Sequence, residues 1–198
     1  MILIALGANL THPVHGLPWR TMAAALAALA ARGVRVRSCS RLYRTLPVGP
    51  GLQRPYWNAV AQIETPLAPA ALLALLHEVE AALGRRRRRR WAARLIDLDL
   101  LDYHGRKLGW AGRAFRRGLV LPHPRLHLRP FVLAPLVDIV PGWRHPATAT
   151  PAARLLARHR DKGILAVQPW PHDSLAGQRG AGAVHVRQQA GWPGNRLF

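Results

Sequence analysis

Acidic residues are scarce in this chain: 9 aspartates and glutamates face 29 lysines and arginines, giving a formal net charge of +20. Lysine is scarcer still, since Lys107 and Lys162 are the only two and the other 27 basic residues are arginine. The bias toward Arg, Ala, Leu, Pro and Gly reads as the echo of a GC-rich genome, so part of the charge is compositional. A basic surface nonetheless attracts anions, nucleotides and nonspecific nucleic acid among them. One cysteine, Cys39, excludes a disulfide framework within the chain and any multi-cysteine metal site. It reads as a small side chain on a strand. No run reaches 18 apolar residues, so no membrane span is indicated. The N-terminus lacks the basic segment of a secretory signal and reads instead as a strand, which makes a cytoplasmic location the expectation.

What is present is enough for a core. The chain has 198 residues, 49% of them hydrophobic, which fits one domain over residues 1–169. From Trp170 to the end the composition turns to Gly, Gln and Pro without periodicity, and residues 170–198 are expected to be a disordered tail. Ile2–Leu6 reads as a buried strand ending at Gly7. Trp19–Arg32 reads as a helix stopped by Gly33, and Val34–Thr45 as one long strand. Trp57–Thr65 returns as a strand. Pro69 opens a helix through Leu83 whose apolar stripe is Leu72, Leu75, Leu76, Val79 and Leu83, with Glu80 on the other side. Beyond the next strand, Gly105–Gly118 reads as a basic loop, Phe131–Ile139 as a helix and Pro151–His159 as a short one. The order β-α-β-β-α-β predicts an α+β, ferredoxin-like fold, an antiparallel sheet with helices packed on one face.

Two of the nine acidic residues sit one residue apart in an apolar run, Ile96-Asp97-Leu98-Asp99-Leu100. This alternation is a strand signature and puts both carboxylates on one side, roughly 6–7 Å apart at Cα. Like charges that close repel unless a cation lies between them, and hard oxygen donors favour Mg²⁺. The other reading is a strand with a solvated acidic face. Just upstream lie six consecutive arginines, Arg85 to Arg90, then Trp91 and Arg94. Such a run reads as a solvated or nucleic-acid-binding stretch, or as a phosphate clamp, since guanidinium forks grip phosphate oxygens in pairs. Carboxylates that repel phosphate without metal have no place in the nucleic-acid reading. Together the two stretches point to phosphoryl-type transfer, where catalysis is mostly positioning and charge stabilisation.

Five stretches in order carry a resemblance to a known family. They are Leu3-Ile4-Ala5-Leu6-Gly7-Ala8-Asn9-Leu10, Leu42-Tyr43-Arg44-Thr45 with Pro47-Val48-Gly49-Pro50, and Tyr56-Trp57-Asn58-Ala59-Val60. The fourth runs from Glu80 through Gly84-Arg85 and Arg90-Trp91 to Arg94 and Asp97-Leu98-Asp99, and the fifth is Leu121-Pro122-His123-Pro124 through Arg129 and Phe131 to Pro135-Leu136. Over roughly Ile2 to Arg144 the chain resembles the 6-hydroxymethyl-7,8-dihydropterin pyrophosphokinases of folate biosynthesis. The resemblance implies transfer of pyrophosphate from ATP to the pterin hydroxymethyl oxygen, leaving AMP, with two Mg²⁺ ions between triphosphate and aspartates. It implies Asp97 and Asp99 as metal ligands, Arg85, Arg87 and Arg94 on phosphates, and Glu80, Arg90, Trp91 and His123 at ATP. It further implies Tyr56 and Phe131 stacked on the pterin, Asn58 on the ring edge, backbone groups of Thr45 and Val48 on its remaining polar atoms, and Arg129 on a closing loop. Without it, Tyr56 and Phe131 read equally as core aromatics and His123 as part of a rigid turn. The expected partners are the two small-molecule substrates, with no specific nucleic acid and no membrane, for a monomer. The chain departs from the family's usual Trp-Gly-Pro-Arg at Trp91-Ala92-Ala93-Arg94, which changes backbone freedom beside Arg94.

Overall fold

A computed structural model describes residues 1–86, 92–111, 114–115, 118–159, 162–171 and 185–186. Its centre is the first strand, β1 (Ile2–Ala8), every residue of which is buried. Apolar side chains at both parities leave neither face of this strand fit for water, so both must be covered. In sequence order there follow α1 (Pro18–Ala30), β2 (Arg35–Cys39), β3 (Leu42–Thr45), β4 (Tyr56–Glu64), α2 (Pro69–Ala82) and β5 (Asp97–Tyr103). β1 lies between β4 and β5, antiparallel to both. It runs through Gly7, beyond the expected end, because Gly7 pairs with Asn58 on one side and Asp97 on the other.

The strand expected over Val34–Thr45 is two strands. β2 pairs with the far half of β4, β3 with its near half. Ser40 and Arg41 make the break: Val60 N–H donates to Ser40 Oγ at 3.0 Å, and the backbone and guanidinium of Arg41 both turn onto Asp138 at about 2.9 Å. That carboxylate comes from 97 residues away, which no local pattern announces.

The two helices of the β-α-β-β-α-β order cover one face, as expected. Leu26 and Leu29 of α1 and Leu72, Leu76 and Val79 of α2 pack on Ile4, Leu6, Leu98 and Leu100. The other face is covered as well, by α3 (Pro130–Ile139) and α4 (Ala152–Ala157), whose Leu133, Leu136 and Leu155 pack on Leu3, Tyr43, Val60 and Leu101. The basic segment after β5 is more than a loop, since β6 (Trp110–Ala111) and β7 (Ala114–Phe115) form a small hairpin. β8 (Ile164–Gln168) extends the sheet antiparallel to β3, and β9 (His185–Val186) lies parallel beside β2. Trp170, the first residue of the expected tail, is buried in the first core, with its indole N–H on Ser40 O at 2.8 Å. Most of the rest of that tail lies outside the described residues.

Candidate active site

The second face is not closed along its whole length. Where the chain enters α3, the sheet and the loops above it leave a cavity of about 370 Å³. Its floor is Ala5 and Gly7 of β1, with Asn58 of β4 and Asp97 and Asp99 of β5 beside them. Thr45, Val48, Tyr56, Arg94, Arg129 and Phe131 make the walls. Strand alternation brings the two aspartates to this cavity together, as expected, opposite Gly7 and Ala5 in the β1 register.

Arginines meet both carboxylates. Arg85 lies 2.7 Å from one oxygen of Asp97, and Arg94 pairs with the other. Arg129 donates to Asp99 at 2.6 Å. Burial works to raise the Asp99 pKa, but the pull of His123 when that ring is protonated, together with that of Arg129, outweighs it and holds the carboxyl below the usual range. His123 itself is pushed down to about 4, by burial first, against the pull of Asp99 and with Arg129 and Arg125 adding to the effect. The ring is therefore neutral at pH 7, and Arg129 is the charge that keeps Asp99 ionised. The Nδ1 of His123 accepts the Arg125 N–H at 3.1 Å, which leaves the proton on Nε2, 3.8 Å from Asp99.

Glu80 is found buried rather than on the polar side of α2. Its carboxylate accepts the Leu98 N–H at 2.7 Å and pairs with Arg85, which ties α2 to β5 and orients the arginine toward Asp97. Burial raises this carboxyl to about 7, opposed by the Leu98 and Arg85 contacts. At the far end of the cavity Asn58 donates to Thr45 Oγ1 at 2.8 Å, which fixes the orientation of its amide. Tyr56 and Phe131 are half-buried wall residues, not core aromatics. The Tyr56 hydroxyl donates to Ala92 O at 3.3 Å, and the Arg129 guanidinium sits 5.8 Å from the Phe131 ring. Val48 stands exposed on the rim. Arg87, Arg90 and Trp91 lie outside the described residues.

Two positions carry roles that sequence reasoning missed. A side chain at Gly7 would stand 3.2 Å from Asn58 Oδ1 and 3.8 Å from Asp97 Cβ, so the glycine leaves room where the two halves of the cavity meet. The signal was a glycine inside an apolar strand. Asn9 is buried and joins two loops: its Oδ1 accepts the Arg94 N–H at 2.7 Å, and its Nδ2 donates to Arg54 O at 3.1 Å. A lone amide after seven buried residues was the visible cue.

The aspartate pair suits a hard cation. Among the described residues no cluster of three or more His, Cys, Asp or Glu could hold a metal ion, so two carboxylates would be the protein's share. Mg²⁺ is commonly held in this way, by one or two carboxylates with water and substrate phosphates completing the shell.

Residues 3–141 match the family described as 7,8-dihydro-6-hydroxymethylpterin-pyrophosphokinase. A 2-amino-4-hydroxy-6-hydroxymethyldihydropteridine pyrophosphokinase of Synechocystis is 33% identical over 84% of this chain and 80% of its own length. The Haemophilus influenzae protein of the same name is 42% identical over 69% of this chain and 79% of its own. Among solved structures, the wild-type HPPK-DHPS of Plasmodium falciparum superposes with a TM-score of 0.58 at 11% identity, over 79% of this chain. That likeness is one of fold, and the chain spans only 44% of the larger protein.

Proposed function

This chain belongs to the 7,8-dihydro-6-hydroxymethylpterin-pyrophosphokinase family, and from that premise we propose that it transfers pyrophosphate from ATP to the hydroxymethyl group of 6-hydroxymethyl-7,8-dihydropterin, in folate biosynthesis. One observation carries the reading: a cavity walled by Tyr56 and Phe131 ends at two carboxylates ringed by arginines. The pterin lies between Tyr56 and Phe131, its amide-like edge against Asn58 and its other polar atoms on backbone groups of Thr45 and Val48. Arg85, Arg87 and Arg94 take the phosphates, with Glu80, Arg90, Trp91 and His123 completing the ATP site.

The hydroxymethyl oxygen attacks the β-phosphorus, the bond from that phosphorus to the α-phosphate oxygen breaks, and AMP leaves. The hydroxyl proton passes to the aspartate pair. Asp97 and Asp99 would hold Mg²⁺, two ions in all, which when bound neutralises charge on the triphosphate. The residues supply the rest. Arginine forks fix the phosphate in line, aromatic walls fix the ring, and the half-buried setting strengthens both. The neutral His123 donates from Nε2 to a phosphate oxygen without adding charge. The protein acts as a cytoplasmic monomer on small molecules. Among the described residues no helix is long and apolar enough to cross a membrane.

The test is AMP release from ATP and Mg²⁺ with and without 6-hydroxymethyl-7,8-dihydropterin. Pterin-dependent AMP with no ADP is expected. ADP in its place, or nucleotide turnover indifferent to pterin, refutes the reading.

A further inference from the structure

Each aspartate of the pair is already matched by arginine. Both oxygens of Asp97 are engaged, one by Arg85 at 2.7 Å and one by Arg94, and Asp99 is engaged by Arg129 at 2.6 Å. Glu80 adds a third carboxylate, paired with Arg85. Three carboxylates thus balance three guanidiniums. A divalent ion arriving alone must displace an arginine and leave the cluster net positive. A triphosphate arriving alone finds its arginines occupied and carboxylates facing it, and leaves the cluster net negative. Two divalent ions arriving with the triphosphate keep the balance, since the aspartates exchange arginine for metal while those arginines exchange carboxylate for phosphate oxygens.

The arginines differ in how firmly they are held. Arg85 also answers to the buried Glu80, which anchors it to α2. Arg94 sits in the segment between Ala92 and β5, pinned by its backbone to Asn9, and Arg129 sits just before α3, with the Phe131 ring alongside. Among the described residues these two have no carboxylate partner besides Asp97 and Asp99. Losing the aspartate therefore leaves neither of them a second carboxylate, unlike Arg85.

We propose that Arg94 and Arg129 stand in for the metal in the free protein and pass to the phosphates when metal and nucleotide arrive together, so that they suppress binding of the metal alone. This rests on the reading of Asp97 and Asp99 as metal ligands given above. Removing an arginine should therefore tighten the binding of free metal, the opposite of what a residue that helps build a metal site would do.

The experiment is a titration of the full chain with Mn²⁺ at pH 8, following the resonance signal of the unbound ion, without nucleotide and with a non-hydrolysable ATP analogue. Wild type should bind Mn²⁺ weakly alone and much more tightly with the analogue. Arg94→Gln and Arg129→Gln should each bind Mn²⁺ alone at least about tenfold tighter than wild type, the scale on which a neighbouring arginine shifts a carboxylate equilibrium. Their gain on adding the analogue should shrink accordingly. Placing Asp97→Asn in the Arg129→Gln background should abolish the tightening. Two variants in separate segments, each checked by thermal unfolding, guard against loss of fold. The proposal is overturned if folded variants bind Mn²⁺ alone no tighter than wild type, if wild type binds it equally well with and without the analogue, or if Asp97→Asn leaves the tightened binding in place. Absence of pterin-dependent AMP from wild type would instead refute the proposed function, which the titration does not measure.

Discussion

Strand β5 carries three aspartates, and its two ends use them differently. At one end Asp97 and Asp99 are half-buried against arginines that stand at a cavity. At the other Asp102 is 2% exposed and receives two neutral donors, the Trp143 indole N–H at 2.7 Å and the Gly105 N–H at 2.9 Å. A bulge separates them. Leu3 of β1 faces Asp102 and Ile4 faces Leu100, so Leu101 is the extra residue. By plain alternation Asp102 would point into the core under α1 and α2; the bulge brings it to the side where Trp143 lies. The same side chain serves as charge at one end and as clamp at the other. What differs is whether its partners can be exchanged.

Substitutions should separate the two ends, beginning with the largest effect. Asp97→Asn removes a charge that the proposed mechanism uses, so AMP release should fall by at least ~10²-fold while thermal unfolding barely moves. Near-normal turnover would mean that the pair holds no metal. Asp102→Ala should do the reverse. It strands a buried indole N–H and a backbone N–H, which costs about 1–3 kcal/mol in chemical denaturation, with turnover per folded molecule within about threefold of wild type. Were Asp102→Ala inactive but stable, the clamp reading of that end would be wrong.

Smaller effects sharpen the picture. Phe131→Ala should weaken pterin binding by about tenfold, the worth of one stacked face, and leave ATP binding in calorimetry unchanged. Equal loss of both ligands would make Phe131 a framework residue. The pH profile concerns both ends, because His123 at the cavity and His145 beside Trp143 are each pushed down to about 4, chiefly by burial. A histidine whose folded pKa lies below its unfolded value of about 6.5 opposes unfolding fully above that value and loses the contribution as pH falls toward 4. Between pH 6.5 and 5.5 each histidine should take away on the order of 1 kcal/mol of stability, while Glu80, whose carboxyl is raised to about 7, gives back a similar amount because the folded state holds its proton over that range, leaving a net drop of about 1 kcal/mol. His145→Asn should remove about 1 kcal/mol of that pH dependence, which leaves the profile nearly flat over the interval. An unchanged slope would place the titrating groups elsewhere.

Much of this was legible from local pattern. A period of two determines which side chains share a face, and that alone put Asp97 and Asp99 together. Apolar periodicity gave α1 and α2, and the buried first strand was plain from its composition. The second covered face departs from the expected helices on one face only; the apolar residues of β1 at both parities were its cue, and the helices that cover it come late and are short. Glu80 was misplaced because a helix stripe sorts residues by polarity. A carboxylate that accepts a backbone N–H from the neighbouring strand can be buried on the apolar side.

Other features depend on groups that sequence distance hides. The break between β2 and β3 answers to Asp138, the site loops are joined through Asn9 to Arg94 85 residues on, and Asp102 finds Trp143 41 residues away. The amino-acid sequence by itself determined that Asp97 and Asp99 face the same way, because alternation along a strand is a property of the chain. Only the tertiary structure decided which cation meets which carboxylate and where the bulge turns Asp102. Those outcomes follow from packing between elements, whose meeting no spacing along the chain encodes.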